Sequence, residues 1–439
     1  MSVRYQPPIQ ETYVLPWSPP PPSPLIDGTY YAKRRRKQVL ASVASVYLPD
    51  EAGSQVVELP GLRGREPELA IFFGAKASAA GTSTSDHAYF SMGFATGPSE
   101  RASIALVSRD ALATSQADRR YTTEFVYSPR EYGGTGQIES DLDAFDAGAL
   151  SLEHTGSSTG SYVLNLLTAA ELVERAEVQQ LALGGSGSGE QEFDFSFTPD
   201  TIFLMSPSNV TSPPDDQTHV QFAFSAFDQS GLGYGARVLS MDSVGTSDSS
   251  SQLLENMVSG YINASQSVNT RVDFSSYISD GVRFSRIATF PNYVAFCIAL
   301  KLRPAARSQS VAFVQPAADG TARINLTFRP SFAVFYSVGN PALSDPSDTT
   351  VSAGAAFFLG SWSAAGGSQA SCGYVDQDNV STTNSSSAQS NSLALYMTDA
   401  DQDDVGSLSV QGNGLGLDLR WTNCDGIERR GAAIIFGGG

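Results

Sequence analysis

PELAIFF at residues 67–73, PDTIFLM at 199–205 and PSFAVFY at 330–336 are three versions of one phrase. Each sets a proline just ahead of an apolar run. A second phrase follows each of them: HAYFSMGF from His87, HVQFAFSAF from His219 and GAAFFLGSW from Gly354. The third is Asp, a hydrophobic residue and Thr: DALAT from Asp110, DSVGT from Asp242 and DNVST from Asp378. A glycine then opens a strand at Gly148, Gly281 and Gly414, and a closing apolar run is read at Val178, Tyr293 and Gly431. The proline stands 43, 43 and 48 residues before the Asp, and the Asp 38, 39 and 36 residues before the glycine. Five landmarks in one order, three times over, make the body an internal triplication, and such a period must be read before any other fold signal.

The runs between landmarks, such as EFDFSF, RINLTF and ALYM, are apolar or alternating, of strand length, and bounded by turn residues. Charged residues are 16% of the 439, against roughly 25% in an average soluble protein. Glu and Lys, the usual helix-surface residues, are scarce, while 40 glycines and many Ser and Thr punctuate the strands. The expectation is an all-β chain of three tandem antiparallel β-sandwich repeats, jelly-roll-like, with six to eight strands each. An extended Pro-rich arm precedes them. The boundaries are the arm at 1–40, repeat one at 41–184, repeat two at 185–302 and repeat three at 308–439. Repeat one carries an apparent insertion at 155–176, in which AAELVERAEV reads as one short helix. GGSGSGEQ from Gly184 and RPAARSQ from Arg303 read as linkers.

The net charge of −18 is uneven. Residues 1–40 carry six basic and two acidic side chains, so the body is the more acidic part and resists nonspecific nucleic-acid binding. PWSPPPPSP, Pro16 to Pro24, cannot be helical and favours polyproline II. Trp17, Tyr30 and Tyr31, with the basic run Lys33, Arg34, Arg35, Arg36 and Lys37, make the arm a docking segment. No apolar run approaches the roughly 18 residues that span a bilayer, and MSVRYQPPIQ has no signal-peptide apolar region. Three Cys are too few for a disulfide scaffold. Cys297 reads as a buried thiol, and Cys372 and Cys424 as a pair kept reduced.

Chemistry is sparse. His87 and His219 occupy equivalent strand starts and read as packed edge residues. Asp110, Asp242 and Asp378 read as Asx-type turns, each capping its own backbone two residues on. The run Asp399, Asp401, Asp403 and Asp404 alternates carboxylates as a calcium loop does, but lacks the glycine and glutamate of an EF-hand. Like the second acidic turn at Asp141, Asp143 and Asp146, it could bind calcium only weakly. GGSGSGE lacks both the Lys of a Walker loop and the helix of a dinucleotide fold. No catalytic residue and no cofactor are expected.

PELAIFFG, HAYFSMGFATG and SRDALAT, with their counterparts in the other repeats, resemble repeats in virion structural proteins of tailed bacteriophages. The resemblance implies a non-enzymatic particle protein, made in the host cytoplasm and docked by its arm to other virion proteins. A tail location is expected, at the tip, baseplate or fibre base. The expected assembly is a homo-oligomer in the particle, with no nucleic acid or membrane partner. A host-surface glycan is a further partner, reached through exposed loops at 75–86, 206–218 and 338–353. The alternatives are a capsid decoration protein and a carbohydrate-binding adhesin with Trp362 and Trp421 as aromatic platforms. Three like domains can line up as a fibre or close as a pseudo-threefold ring.

Overall fold

The computed structural model describes residues 38–77, 81–133, 138–156, 162–185, 187–207, 215–262, 268–287, 290–341 and 352–438. Residues 38–439 form one compact unit. The arm residues Trp17, Tyr30, Tyr31, Lys33, Arg34, Arg35, Arg36 and Lys37 lie outside the described residues. The fold is all-β and antiparallel, and the one helical element described is a single 3-10 turn at Pro60–Leu62.

Each third of the chain builds a large sheet and a small one. In the first third, the large sheet runs Leu40–Tyr47, Tyr162–Ala170, Leu69–Lys76, Ala88–Gly97, Glu100–Ser108 and Ala117–Thr122, in spatial order. The small sheet holds Gly53–Glu58, Ala149–Thr155 and Glu139–Asp146. The second and third parts repeat the same order with four-stranded small sheets. Apart from Ser83–Asp86, the strands from Leu69 to Thr122 lie side by side as a meander rather than alternating between two sheets as in a jelly roll.

Every large sheet is completed by a seventh strand from another repeat. Asp215–Thr218 of repeat two pairs with Ala117–Thr122 of repeat one. Ser352–Ala353 of repeat three pairs with Ser249–Glu255 of repeat two. Ser83–Asp86 of repeat one pairs with Ser385–Ser390 of repeat three. The donations run two to one, three to two and one to three, so they close a ring. These donors lie in the loops expected to be exposed; Asp86, Asp216 and Thr218 are exposed, and the backbones of the three segments also satisfy the unpaired edges of neighbouring sheets.

The central strands of the large sheets are buried on both faces, which explains why they read as near-continuous apolar runs. Along Ala88–Gly97, alternate residues face opposite ways. Phe90, Met92 and Phe94 join one core shared by all three repeats, while Ala95 joins the core between the two sheets of its own repeat. Repeats two and three have equivalent private cores. Phe90, Phe222 and Phe357, each three residues past its landmark His or Gly, meet in the shared core. Their ring centroids are 6.1, 5.2 and 5.1 Å apart, within the range of favourable edge contacts. The opposite face tolerates only small residues at one place. A Cβ on Gly93 would overlap the Val126 carbonyl, and one on Gly360 that of Ala394.

Three segmental expectations are corrected. Residues 155–176 are not an insertion with a helix: Tyr162–Ala170 is the closing strand of repeat one, and Val173–Gly185 is the first edge strand of the second large sheet. The true counterpart of the closing runs at Tyr293 and Gly431 is therefore YVLNLLTAA from Tyr162, not the run at Val178. Residues 184–191 hold the end of Val173–Gly185 and the start of Gly189–Asp194, so they lead from the large sheet of repeat two to its small sheet rather than link two domains. Finally, the body begins before residue 41, since Val39 and Ala41 are both buried in the shared core.

The crossovers between repeats, at 170–173 and 302–306, lie at one end of the ring. Glu68 Oε2 accepts the amides of Leu172 and Val173 at 2.9 and 3.0 Å, and Asp200 Oδ2 accepts that of Leu302 at 2.9 Å. The acidic residue after the landmark proline thus caps the crossover in the first two repeats.

Candidate functional site: the clasps at the ring axis

At the opposite end of the ring, the Asp landmark of each repeat grips a neighbouring repeat. Asp110 Oδ1 accepts the amide of Ser385 at 3.1 Å, Asp242 Oδ1 that of Ala117 at 3.0 Å and Asp378 Oδ1 that of Ser249 at 2.8 Å. Each acceptor carboxylate thus reaches the first residue of the strand that receives the exchange strand. The expected Asx turns, capping their own backbone, are replaced by carboxylates that cap another repeat.

The residues around each Asp complete a clasp. Ala111, Ser243 and Asn379 adopt φ of 59°, 61° and 57°. This left-handed backbone costs roughly 1 kcal/mol for a residue with a Cβ. It turns their amides onto the carbonyls of Thr383, Ser115 and Ser247 at 2.8, 2.9 and 2.8 Å. The next residues, Leu112, Val244 and Val380, donate their amides to the hydroxyls of the same three residues at 2.9, 3.1 and 3.0 Å. Their carbonyls in turn accept the amides of Thr383, Ser115 and Ser247. A charge-assisted bond plus several neutral ones, each worth about 1 kcal/mol net, offset the strained residue.

The histidines belong to the same device. His87 and His219 adopt φ of 68° and 65°, and Gly354 takes the same place at 83°. Repeat three can dispense with the His because glycine reaches this conformation without a steric penalty. The amide of Asp110 donates to His87 Nδ1 at 2.9 Å, and that of Asp242 to His219 Nδ1 at 2.7 Å. Both rings are acceptors and therefore neutral at that nitrogen. Burial and then Arg109 lower the pKa of His87, and burial lowers that of His219. His154 is elsewhere, buried between Ser140 Oγ at 2.9 Å and Gln55 Oε1 at 3.0 Å. The three imidazoles do not assemble into a catalytic or metal-binding set.

The acidic loops are spent on turns. Asp399 Oδ1 accepts the amide of Asp403 at 2.9 Å, and Asp401 Oδ1 accepts Asn384 Nδ2 at 2.8 Å. Asp404 Oδ2 accepts Ser407 Oγ and Asn423 Nδ2. Asp141 pairs with Arg101 at 2.6 Å, and Asp146 Oδ2 accepts Ser151 Oγ at 2.9 Å. Among the described residues, no group of three or more His, Cys, Asp or Glu is gathered as a metal would need.

Trp362 and Trp421 are 2% and 1% exposed. Both sit in the core between the two sheets of repeat three, so neither is a platform for a sugar. Cys297 and Cys372 are buried and Cys424 half-buried, all as free thiols; burial raises the pKa of the first two. Sequence reasoning missed Ser115, Ser247 and Thr383, the receiving side of the clasp. The signal was present in that a hydroxyl residue stands five positions after each landmark Asp. A comparison of the chain with known family models and with curated proteins finds no match.

Proposed function

We propose that this chain is a non-enzymatic structural protein of a tailed-phage virion, docked by residues 1–37 and placed at the tail. The observation that carries the reading is the cyclic clasp. The landmark Asp residues with Ser115, Ser247 and Thr383 are engaged in joining one repeat to the next, and His87 and His219 hold the Asp of their own repeat. A body closed in this way is suited to bearing load as one rigid piece. The burial of Trp362 and Trp421 weighs against the adhesin alternative.

The test is immunogold labelling of intact particles with an antibody against the body, alongside a chain lacking residues 1–37. Label at the tail, and a folded truncated chain that no longer enters particles, is the expected result. Label spread evenly over the head would assign the chain to capsid decoration. No label on any particle would overturn the virion reading.

A further inference from the structure

The axis is threefold in its backbone and not in its chemistry at one place. Ser108, Ser240 and Asp376 end equivalent strands of the three large sheets, two residues before each landmark Asp. All three are buried, and Asp376 is 4% exposed. Ser108 Oγ donates to Asp376 Oδ2 at 3.2 Å across the joint between repeats one and three. Tyr374, on the strand of Asp376, donates its hydroxyl to Ser240 Oγ at 2.9 Å across the joint between repeats two and three. Ser240 also lies beside the Asp376 carboxyl, yet Oδ1 makes no hydrogen bond of its own. The carboxyl therefore touches both neighbouring repeats.

Its surroundings favour a neutral acid. Ser249 Oγ donates to the backbone carbonyl of Asp376 at 2.9 Å, and Ser385 Oγ to that of Ser108 at 3.1 Å; neither hydroxyl titrates. Arg109, next to Ser108, is turned to Gln116 at 2.9 Å. The charges that act on Asp376 are the carboxylates of Asp110 and Asp378. A groove of about 370 Å³ in repeat three is lined by Asp376, Asp378, Asp399, Asp401 and Arg429. Its cation, Arg429, is held by both oxygens of Asp425 at 2.6 and 2.7 Å.

We propose that Asp376 is a proton-operated lock on the ring: its carboxyl carries a proton while repeat three is closed against repeats one and two, and loss of that proton leaves a buried charge at the joint that no cation compensates and that the serine hydroxyls offset only in part, which favours opening. Burial, and after it the two neighbouring carboxylates against the pull of the serine hydroxyls, pushes this acid up to about 7. The sign follows from linkage. An unfolded Asp releases its proton near pH 4, whereas the folded chain keeps it to about 7. The contribution of this group to stability is full below about pH 4 and is lost as pH rises through 7.

The experiment is denaturant unfolding of the full chain at pH 5 and pH 8 for the wild type, Asp376→Asn and Asp376→Ser. The serine variant installs the residue that repeats one and two already carry, so it guards against a variant that fails to fold. Between the two pH values the wild-type folding constant should fall about a hundredfold further than that of either variant. A carbon-13 titration of the aspartate carboxyls should show one resonance titrating near neutrality that is absent from the variants. Identical pH profiles for wild type and variants, or no such resonance, would overturn the proposal.

Discussion

Where repeat two meets repeat one, the ring of Tyr121 lies flat on that of Phe296, with centroids 4.0 Å apart. Where repeat one meets repeat three, the equivalent places hold Gln389 and Asn165. Asn165 Nδ2 donates to Gln389 Oε1 at 2.9 Å, and Gln389 Nε2 donates back to Asn165 Oδ1 at 3.1 Å. The third pair of equivalent places holds Leu253 and Ala432, both in the shared core. The exchange strands differ as well. Asp216, entering repeat one, meets Arg130 and Arg120, and Arg130 also pairs with Asp118 at 2.9 Å. Asp86, entering repeat three, accepts the neutral amide of Gln402 at 2.6 Å. The backbone clasp is thus generic, and the side chains beside it make each joint chemically distinct.

The largest way to break the comparison is to remove what all joints share. Phe222→Ala deletes one of three rings at the axis and should cost about 3–5 kcal/mol. Because the core is common, fluorescence or circular dichroism should show one lowered transition for the whole body rather than loss of a third of the signal.

The next test separates the polar joint from the aromatic one. Gln389→Ala removes both hydrogen bonds that it shares with Asn165, which keeps Ser45 Oγ and the Ser371 carbonyl as partners, and should cost about 1–3 kcal/mol, whereas Asn165→Leu with Gln389→Leu should recover part of that loss. The Tyr121 hydroxyl is buried with no hydrogen-bond partner. Tyr121→Phe should therefore stabilise the chain by about 1 kcal/mol. Urea midpoints measured side by side decide both. A large loss in Tyr121→Phe would mean that this joint is not the apolar contact described.

The smallest effect is expected from His87→Gly with His219→Gly, which gives repeats one and two the residue of repeat three. Relief of the left-handed backbone offsets the lost hydrogen bond, so stability at pH 8 should move by less than about 1 kcal/mol. The folded pKa of both histidines lies below 6.5. Their contribution is full above about 6.5 and is lost as pH falls through the depressed value. The glycine variant should therefore be less sensitive to mild acid, as read by melting temperature at pH 8 and pH 5.

Much of this was legible in the residues. The triplication and the all-β class follow from the recurrence of Pro67, Pro199 and Pro330 with their apolar runs. The Asp landmarks were visible as turns, but a turn motif does not say whose amide the carboxylate caps, and here the partner lies more than a hundred residues away or across the closing joint. AAELVERAEV has the Leu, Ala and Glu of a helix, yet its residues extend, with Ala169 opposite Leu69 and Arg175 opposite Lys301, because they end one strand and begin the next. Composition could flag Trp362 and Trp421 as aromatic surface only because strand parity, which sends both inward, depends on register. The exchange strands at 83–86, 215–218 and 352–353 are polar and read as loops, since their pairing partners belong to other repeats.

The central claim is that the ring is closed, with the joint between repeats three and one equal in kind to the other two. Native-state hydrogen exchange at the amides of Ala117, Ser249 and Ser385, the three that the landmark carboxylates cap, tests it most directly. All three should exchange only through global unfolding, with the same free energy and the same dependence on denaturant. Fast, denaturant-independent exchange at Ser385 beside protected Ala117 and Ser249 would contradict it and leave three repeats in an open row.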